Sequence, residues 1–259
     1  MPIHYLLMDT FLLRKNMLNI TTSWDDGDIF DVRLSEMLSR HGIKGTFYIT
    51  KHYRPERVSD TDIRTIAKHH EIGAHTLTHP DLRERSLTEK KDEIQGSKQW
   101  LEEILGSRVK MFCYPKGLYD DETVSAVKDA GFLGSRTTRL GLIDSPSDPF
   151  RLDTTIQVYP FPFRKLNARN YYVGKLLQPY VQRTSALRAL GVSTLSMRSW
   201  LAMAKSTFDI AKQHGDVFHL WGHSWEIEKY NMWDDLENLL TYMNACKECR
   251  FVTNSELLP

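Results

Sequence analysis

The chain has 259 residues, of which 41% are hydrophobic and 26% are charged, and this composition is ordinary for a single globular domain. Its formal net charge of +1 gives no electrostatic reason to expect nucleic acid or an anionic membrane as a partner. No apolar run reaches the ~20 residues that a membrane-spanning helix needs.

The N-terminal segment is apolar but does not follow the order of a secretory signal. Asp9 interrupts its apolar residues, and the basic pair Arg14 and Lys15 follows them instead of preceding them. We therefore expect residues 1–16 to form an extension to one domain at 17–259. A cytoplasmic location is expected for the same reason.

Strand and helix patterns alternate along the chain. Apolar and β-branched runs predict strands, and apolar residues at helical spacing predict helices between them. In chain order these are strand 18–24, helix 29–40, strand 45–50, helix 59–70, strand 71–74, helix 87–105, strand 109–114, helix 120–131, strand 132–135, strand 215–221, helix 233–245 and strand 251–253. Ser59 is a candidate N-cap, and Gly106 ends the third helix. This alternation predicts a parallel sheet, open or closed into a barrel.

The middle of the chain is less regular. Residues 137–163 contain four prolines and are expected to be rich in loops. Residues 167–213 have a helical pattern and are interpreted as an insertion in the same domain. This insertion carries a basic face formed by Arg183, Arg188, Arg198 and Lys205.

The cysteine content is low. Three cysteines argue against a disulfide framework and are typical of a reducing compartment. Cys246 and Cys249 have the spacing of a metal or redox pair, but a single pair without a second one is a weak signal.

Polar residues follow several predicted strands, at the edge where the carboxyl ends of parallel strands meet. Asp25 and Asp26 end the first strand, His75 and His79 follow the third, and His223 follows the last strong strand. One carboxylate and two imidazoles can form a three-ligand site for a divalent cation. The second carboxylate would then be free to act as a base on water, as in a metal-dependent hydrolase.

The sequence resembles the polysaccharide deacetylase family, carbohydrate esterase family four. The resemblance rests on Trp24-Asp25-Asp26-Gly27, His75-Thr76-Leu77-Thr78-His79, Cys113-Tyr114-Pro115-Lys116-Gly117 and Leu220-Trp221-Gly222-His223. It implies an α/β fold, a distorted (β/α) barrel of the polysaccharide deacetylase type in a single domain. It also implies a mononuclear divalent-metal site and removal of an acyl group, usually acetyl, from a sugar.

The resemblance also implies a role for each matching residue. Asp26, His75 and His79 would bind one divalent ion, with Zn²⁺ the first choice and Co, Ni or Mn as alternatives. Asp25 would be the general base and His223 the general acid. The backbone N–H near Lys116 would help to hold the oxyanion. The further candidates for contact with substrate or oxyanion are Tyr114, Lys116, Trp221 and Glu226.

The chain departs from the family at Cys113, which stands where relatives have an arginine that orients the base. We predict that Lys116 takes over this work or contacts an anionic substrate group, with Arg136 as the next candidate. Near the other end of the site, Glu226 is predicted to orient His223.

Three functions are compatible with these residues. The first is metal-dependent removal of an N-acyl group, N-acetyl above all, from an amino sugar or a sugar-containing glycan precursor. The second is a carbon–nitrogen hydrolase acting on a small non-sugar amide or formamide. The third is a non-catalytic glycan-binding relative. A base, a metal site and an acid occurring together argue against the third, because binding alone requires no such set. The oligomeric state is left open.

Overall fold

The computed structural model of the protein describes residues 17–164 and 173–258. The predicted extension at 1–16 therefore lies outside the described residues. Within the described part, the strands are β1 (Leu18–Asp26), β2 (Thr46–Ile49), β3 (Glu71–Ala74), β4 (Met111–Cys113), β5 (Gly134–Arg136), β6 (Ile156–Val158), β7 (Val217–Gly222) and β8 (Cys249–Val252).

All of these strands belong to one parallel sheet in the order β5-β4-β3-β2-β1-β7-β6, with β8 added beside β1. The long strand β1 pairs with β7 on one side. On its other side it pairs first with β8 along 18–21 and then with β2 along 23–26. The segment between β5 and β6 brings the two ends of the sheet towards each other, because Leu152 bridges to Arg136 and the Thr155 N–H donates to the His219 carbonyl. The expected distorted (β/α) barrel in a single domain is confirmed.

Helices cover the outside of this sheet. Their bounds are α1 (Asp31–Arg40), α2 (Asp60–Ile66), α3 (Leu87–Leu105), α4 (Asp121–Asp129), α5 (Val173–Ala189), α6 (Trp200–His214), α7 (Ser224–Tyr230) and α8 (Trp233–Asn244). Ser59 caps α2 in a reciprocal pair of hydrogen bonds with Asp62, as its position before the helix predicts. Gly106 ends α3 with a φ of 65°, a left-handed conformation that costs glycine least.

The interior of the barrel contains polar side chains that satisfy one another. The Ser23 hydroxyl lies 2.8 Å from His219 Nε2, and the Asn254 amide donates to the Tyr48 hydroxyl at 2.8 Å. His219 Nδ1 also lies 3.1 Å from the Asp153 carbonyl, so both of its ring nitrogens have partners. These bonds offset the cost of burying polar groups, and the Ser23–His219 bond links β1 to β7.

Three local features differ from the expectations. The strand β6 lies within the region expected to be loops, and the short helix α7 follows His223 directly. Cys246 and Cys249 are joined by a disulfide across the turn between α8 and β8. One bridge over so short a loop is not a framework, and Cys113 is a buried free thiol in the described part of the chain.

The described helices include none that combines the length and the apolar character required to cross a bilayer.

Candidate active site

The carboxyl ends of three parallel strands bring the candidate residues to one cavity of 710 Å³. Asp25 and Asp26 end β1, His75 and His79 follow β3, and His223 follows β7. All five line this cavity, as the strand-end argument predicts.

Asp26, His75 and His79 form a buried group of potential metal ligands. Asp26 Oδ1 lies 3.7 Å from Nε2 of His75 and 3.7 Å from Nε2 of His79. Among the described residues, Asp26 Oδ1 has no hydrogen-bond partner. Burial lowers the pKa of His75 to about 4 and that of His79 to about 3, so both rings are neutral. The carboxylate oxygen and the two imidazole nitrogens face one another with lone pairs and have no proton between them. Such a group is suited to binding a divalent cation.

Neighbouring groups orient two of these ligands. His75 Nδ1 lies 2.8 Å from the Cys113 carbonyl, so this nitrogen carries the proton and Nε2 keeps its lone pair for a metal. The Trp225 indole N–H donates to Asp26 Oδ2 at 2.8 Å and leaves Oδ1 directed at the two imidazoles. Trp225 is absent from the sequence-based candidates. Its position two residues after His223, at the start of α7, was the only signal available.

The backbone around the site adopts strained conformations. Asp26, Thr76, His79 and Lys116 all have positive φ angles, between 57° and 83°. Such residues cluster at functional sites, where the surrounding structure enforces the strain. Gly27 follows Asp26 with a φ of 71°, and a Cβ there would lie only 2.6 Å from the Ile49 side chain, which explains glycine at this position.

Arg136 is the partner of the candidate base. This fully buried residue of β5 donates from Nη2 to Asp25 Oδ1. Burial alone would raise the pKa of Asp25, but Arg136, followed by His75 and His223, holds this pKa below its ordinary value. Lys116 is exposed at the cavity wall. The prediction that Lys116 orients the base is therefore corrected in favour of Arg136, whereas its contact with substrate stays a prediction.

Replacing Arg136 with methionine should move the acidic limb of the pH profile of kcat/KM to higher pH. Asp25 accepts a proton only when ionised, so activity falls as the pH drops through its pKa. Without the neighbouring cation that pKa rises, by about 1–3 units for a contact of this kind. The profile of a metal-loaded Arg136→Met variant checks this. Lys116→Met is the matched control and should leave the limb in place, and the reverse pattern would restore Lys116 as the orienting residue.

His223 lies beside both aspartates in the cavity. Its Nδ1 lies 2.7 Å from Glu226 Oε2, while Nε2 lies 4.0 Å from Asp25 Oδ2 and 3.9 Å from Asp26 Oδ2. Burial alone would lower the pKa of His223, but the hydrogen bond to Glu226 and the nearby carboxylates raise it to about 9. Glu226 thus contacts His223, and its orienting role stays a prediction.

Of the other candidates for substrate contact, two line the cavity and one does not. Trp221 and Lys116 line the cavity. Tyr114 does not, because its fully buried ring stacks on Tyr119 and its hydroxyl donates to the Phe150 carbonyl at 3.0 Å. The side chain of Tyr114 is thus committed to packing, and its assignment as a substrate contact is corrected.

Comparisons with known proteins found similarity over the first half of the chain. Residues 14–134 match the family model described as Polysaccharide deacetylase. A peptidoglycan N-acetylmuramic acid deacetylase of Bacillus subtilis is 24% identical over 104 residues, which cover 39% of this chain and 38% of the relative. The chain therefore matches less than half the length of that relative.

Solved structures share the fold over almost the whole chain. A Mycobacterium smegmatis structure assigned to the polysaccharide deacetylases superposes with a TM-score of 0.67 at 14% identity, covering 94% of this chain and 89% of that one. A pseudoenzyme of carbohydrate esterase family four from Bacillus anthracis gives a TM-score of 0.58 at 14% identity, covering 94% and 66%. Residues 14–134 are thus similar to the polysaccharide deacetylase family, and the solved structures share the fold of almost the whole chain.

Proposed function

We propose that this protein is a metal-dependent hydrolase that removes an N-acyl group, N-acetyl above all, from an amino sugar or a sugar-containing glycan precursor. One observation carries the proposal. A three-ligand group, a separate ionised carboxylate and a cationic imidazole face the same cavity. A site that only binds glycans has no need of this combination.

The metal would be held by Asp26, His75 and His79. Two imidazole nitrogens and one carboxylate oxygen suit Zn²⁺ first, with Co, Ni or Mn as alternatives. When bound, such an ion polarises the acyl carbonyl and lowers the pKa of a bound water. The residues of the chain supply the proton transfers.

Asp25 is the proposed base. Its lowered pKa keeps it ionised at neutral pH, and the bond from Arg136 fixes its orientation while leaving Oδ2 available to take a proton from water. The water oxygen then forms the new bond to the acyl carbon.

His223 is the proposed acid. At a pKa of about 9 it is protonated at neutral pH, and its Nε2 side faces the two aspartates. Breakage of the carbon–nitrogen bond requires a proton on the leaving nitrogen, because an amide anion is a very poor leaving group. With that proton from His223 the products are a free amine and a carboxylic acid. Asp25 is then protonated and His223 is neutral, so transfer of one proton from Asp25 to His223, directly or through water, restores both groups.

An acetylated sugar suits the cavity in size and lining. A volume of 710 Å³ lies within the range of about 300–1,000 Å³ typical of small-ligand sites. Tyr53, Trp221 and Trp225 provide aromatic surface against which a sugar ring can pack. The relative's action on N-acetylmuramic acid in peptidoglycan supports an N-acetylated amino sugar as the substrate class.

A mass-spectrometric screen of N-acylated sugars, incubated with metal-loaded protein, tests the proposal. Loss of an acetyl or formyl group is expected, and a chelator should abolish it. Hydrolysis of small non-sugar amides without any sugar product would favour the second candidate function. Tight sugar binding without any product would favour a non-catalytic relative.

His223→Ala should slow amide hydrolysis by about a hundredfold or more, the usual range for loss of a general acid. Its effect on an activated ester of the same acyl group should be much smaller, because the ester leaving group departs without a proton. Steady-state rates on the two substrates, at equal metal content, check this difference. Equal losses on the amide and the ester would remove the acid role from His223.

A further inference from the structure

The predicted basic face of the insertion is divided by the fold. Arg188 and Arg198 are exposed, but the Arg183 side chain of α5 turns inward, is only 5% exposed and lines the same cavity as the candidate catalytic residues. A long helix thus delivers one buried guanidinium to the active-site cavity.

The guanidinium of Arg183 is incompletely satisfied. Its Nη2 donates to Gln157 Oε1, and its central carbon lies 4.6 Å from the centre of the Tyr159 ring. Its Nε and Nη1 have no hydrogen-bond partner in the described part of the chain. The ion pairs found among residues 17–164 and 173–258 do not include Arg183.

A buried cation without a carboxylate in contact is costly, since burial penalises the charged form. Burial lowers the pKa of Arg183 to about 10, with Tyr159 and Glu226 opposing the shift, so the group remains charged at neutral pH. Glu226 is not in direct contact with Arg183 in the described structure: its Oε2 lies 2.7 Å from His223 Nδ1 and 3.5 Å from the Gln157 amide nitrogen.

Two further cations among the described residues, Lys116 and Arg139, line the same cavity. In the described structure, the carboxylates lining it are Asp25 and Asp26, which belong to the proposed base and metal site. An incoming anion would therefore pair with a guanidinium that lies at the cavity wall and has no ion pair among the described residues to displace.

We propose that Arg183 makes the site selective for an acylated amino sugar that carries an anionic substituent, either a carboxylate or a phosphate. The inference rests on the proposed deacetylase function and adds the charge of the substrate to it. Hydrogen bonds from a buried guanidinium to an anion are charge-assisted and discriminate against a neutral sugar, which would leave the cation unpaired.

Three probes of metal-loaded protein test this selectivity: N-acetylmuramic acid carries a carboxylate, a phosphorylated N-acetylglucosamine carries a phosphate, and N-acetylglucosamine itself is neutral. Their dissociation constants follow from quenching of the fluorescence of the cavity tryptophans, and kcat and KM follow from amine release. Arg183→Gln should weaken binding of the anionic probe by about ten- to a hundredfold, the range for a hydrogen bond to a charged group. Binding of the neutral sugar should change by less than about twofold.

Two control variants are compared with Arg183→Gln. Arg188→Gln removes an exposed charge from the same helix and should change nothing. Arg183→Lys keeps a positive charge and should retain part of the preference, which separates loss of recognition from loss of folding. The anionic probe whose binding weakens in Arg183→Gln, the carboxylate or the phosphate, identifies the substituent that Arg183 recognises.

Several outcomes would overturn the inference. Wild-type protein that binds neutral and anionic sugars equally well has no such selectivity. Equal losses on both classes in Arg183→Gln, with a shifted alkaline limb of the pH profile, would make Arg183 a positioning residue that acts on His223 through Gln157 and Glu226. If no sugar is hydrolysed, the deacetylase proposal fails, yet the binding measurement still decides the role of Arg183.

Discussion

Replacing both His75 and His79 with alanine should reduce the bound divalent metal from about one equivalent per chain to nearly none. The variant keeps one carboxylate of the three-ligand group, and a single carboxylate binds a divalent ion weakly in competition with water. Turnover should fall to the background rate along with the metal. Elemental analysis of loaded and dialysed protein measures the first effect, and amine release measures the second.

The matched control is His219→Gln, because His219 is buried in the barrel near the site but bonds to Ser23 and the Asp153 carbonyl. This variant should bind about one equivalent of metal even if its stability drops. Full metal content in the His75 and His79 double variant would show that the ion binds elsewhere and that this ligand assignment is wrong.

Asp25→Asn should lower kcat by about a hundredfold or more while leaving the metal content nearly intact. The asparagine keeps the size of the side chain, but it has no carboxylate to take a proton from water. KM should change little, since the proposed role of Asp25 lies in the chemical step rather than in substrate binding.

The metal content of Asp25→Asn separates the base from the ligands. A variant that loses both metal and activity would show that Asp25 is itself a ligand, and the assignment of Asp25 and Asp26 would then have to be exchanged. Loss of the Arg136 ion pair also leaves a buried cation, so thermal unfolding should be recorded beside the kinetics.

Sequence patterns alone predicted the main strands and helices, and they predicted which candidate residues would meet at one edge of the sheet. The strand β1 is an apolar and β-branched run that ends in two carboxylates, and α3 is a long amphipathic segment with a serine cap and a glycine stop. The hydrophobic periodicity of a long element depends only on its own residues, so it can be recognised without knowledge of the tertiary structure. Because parallel strands present their carboxyl ends at one edge, the meeting of Asp26, His75 and His79 also follows from local reasoning.

Short elements carried too little pattern to be recognised. β6 has three residues within a proline-rich region, and its place beside β7 depends on pairing across the sheet. α7 has seven residues, mixes aromatic and charged side chains, and directly follows the site residue His223. Over so few residues, tertiary contacts outweigh intrinsic propensity.

Partnerships between distant residues were decided only by the tertiary structure. Arg136 is 111 positions from Asp25 and reaches it because β5 and β1 lie across the barrel from each other. The nearer candidate in the motif, Lys116, has a left-handed backbone and lies exposed at the cavity wall. The burial of Arg183 likewise depends on how α5 docks. Side-chain types predict which chemistry a chain can perform, whereas distances, burial and the sign of a pKa shift arise only when segments far apart in sequence come into contact.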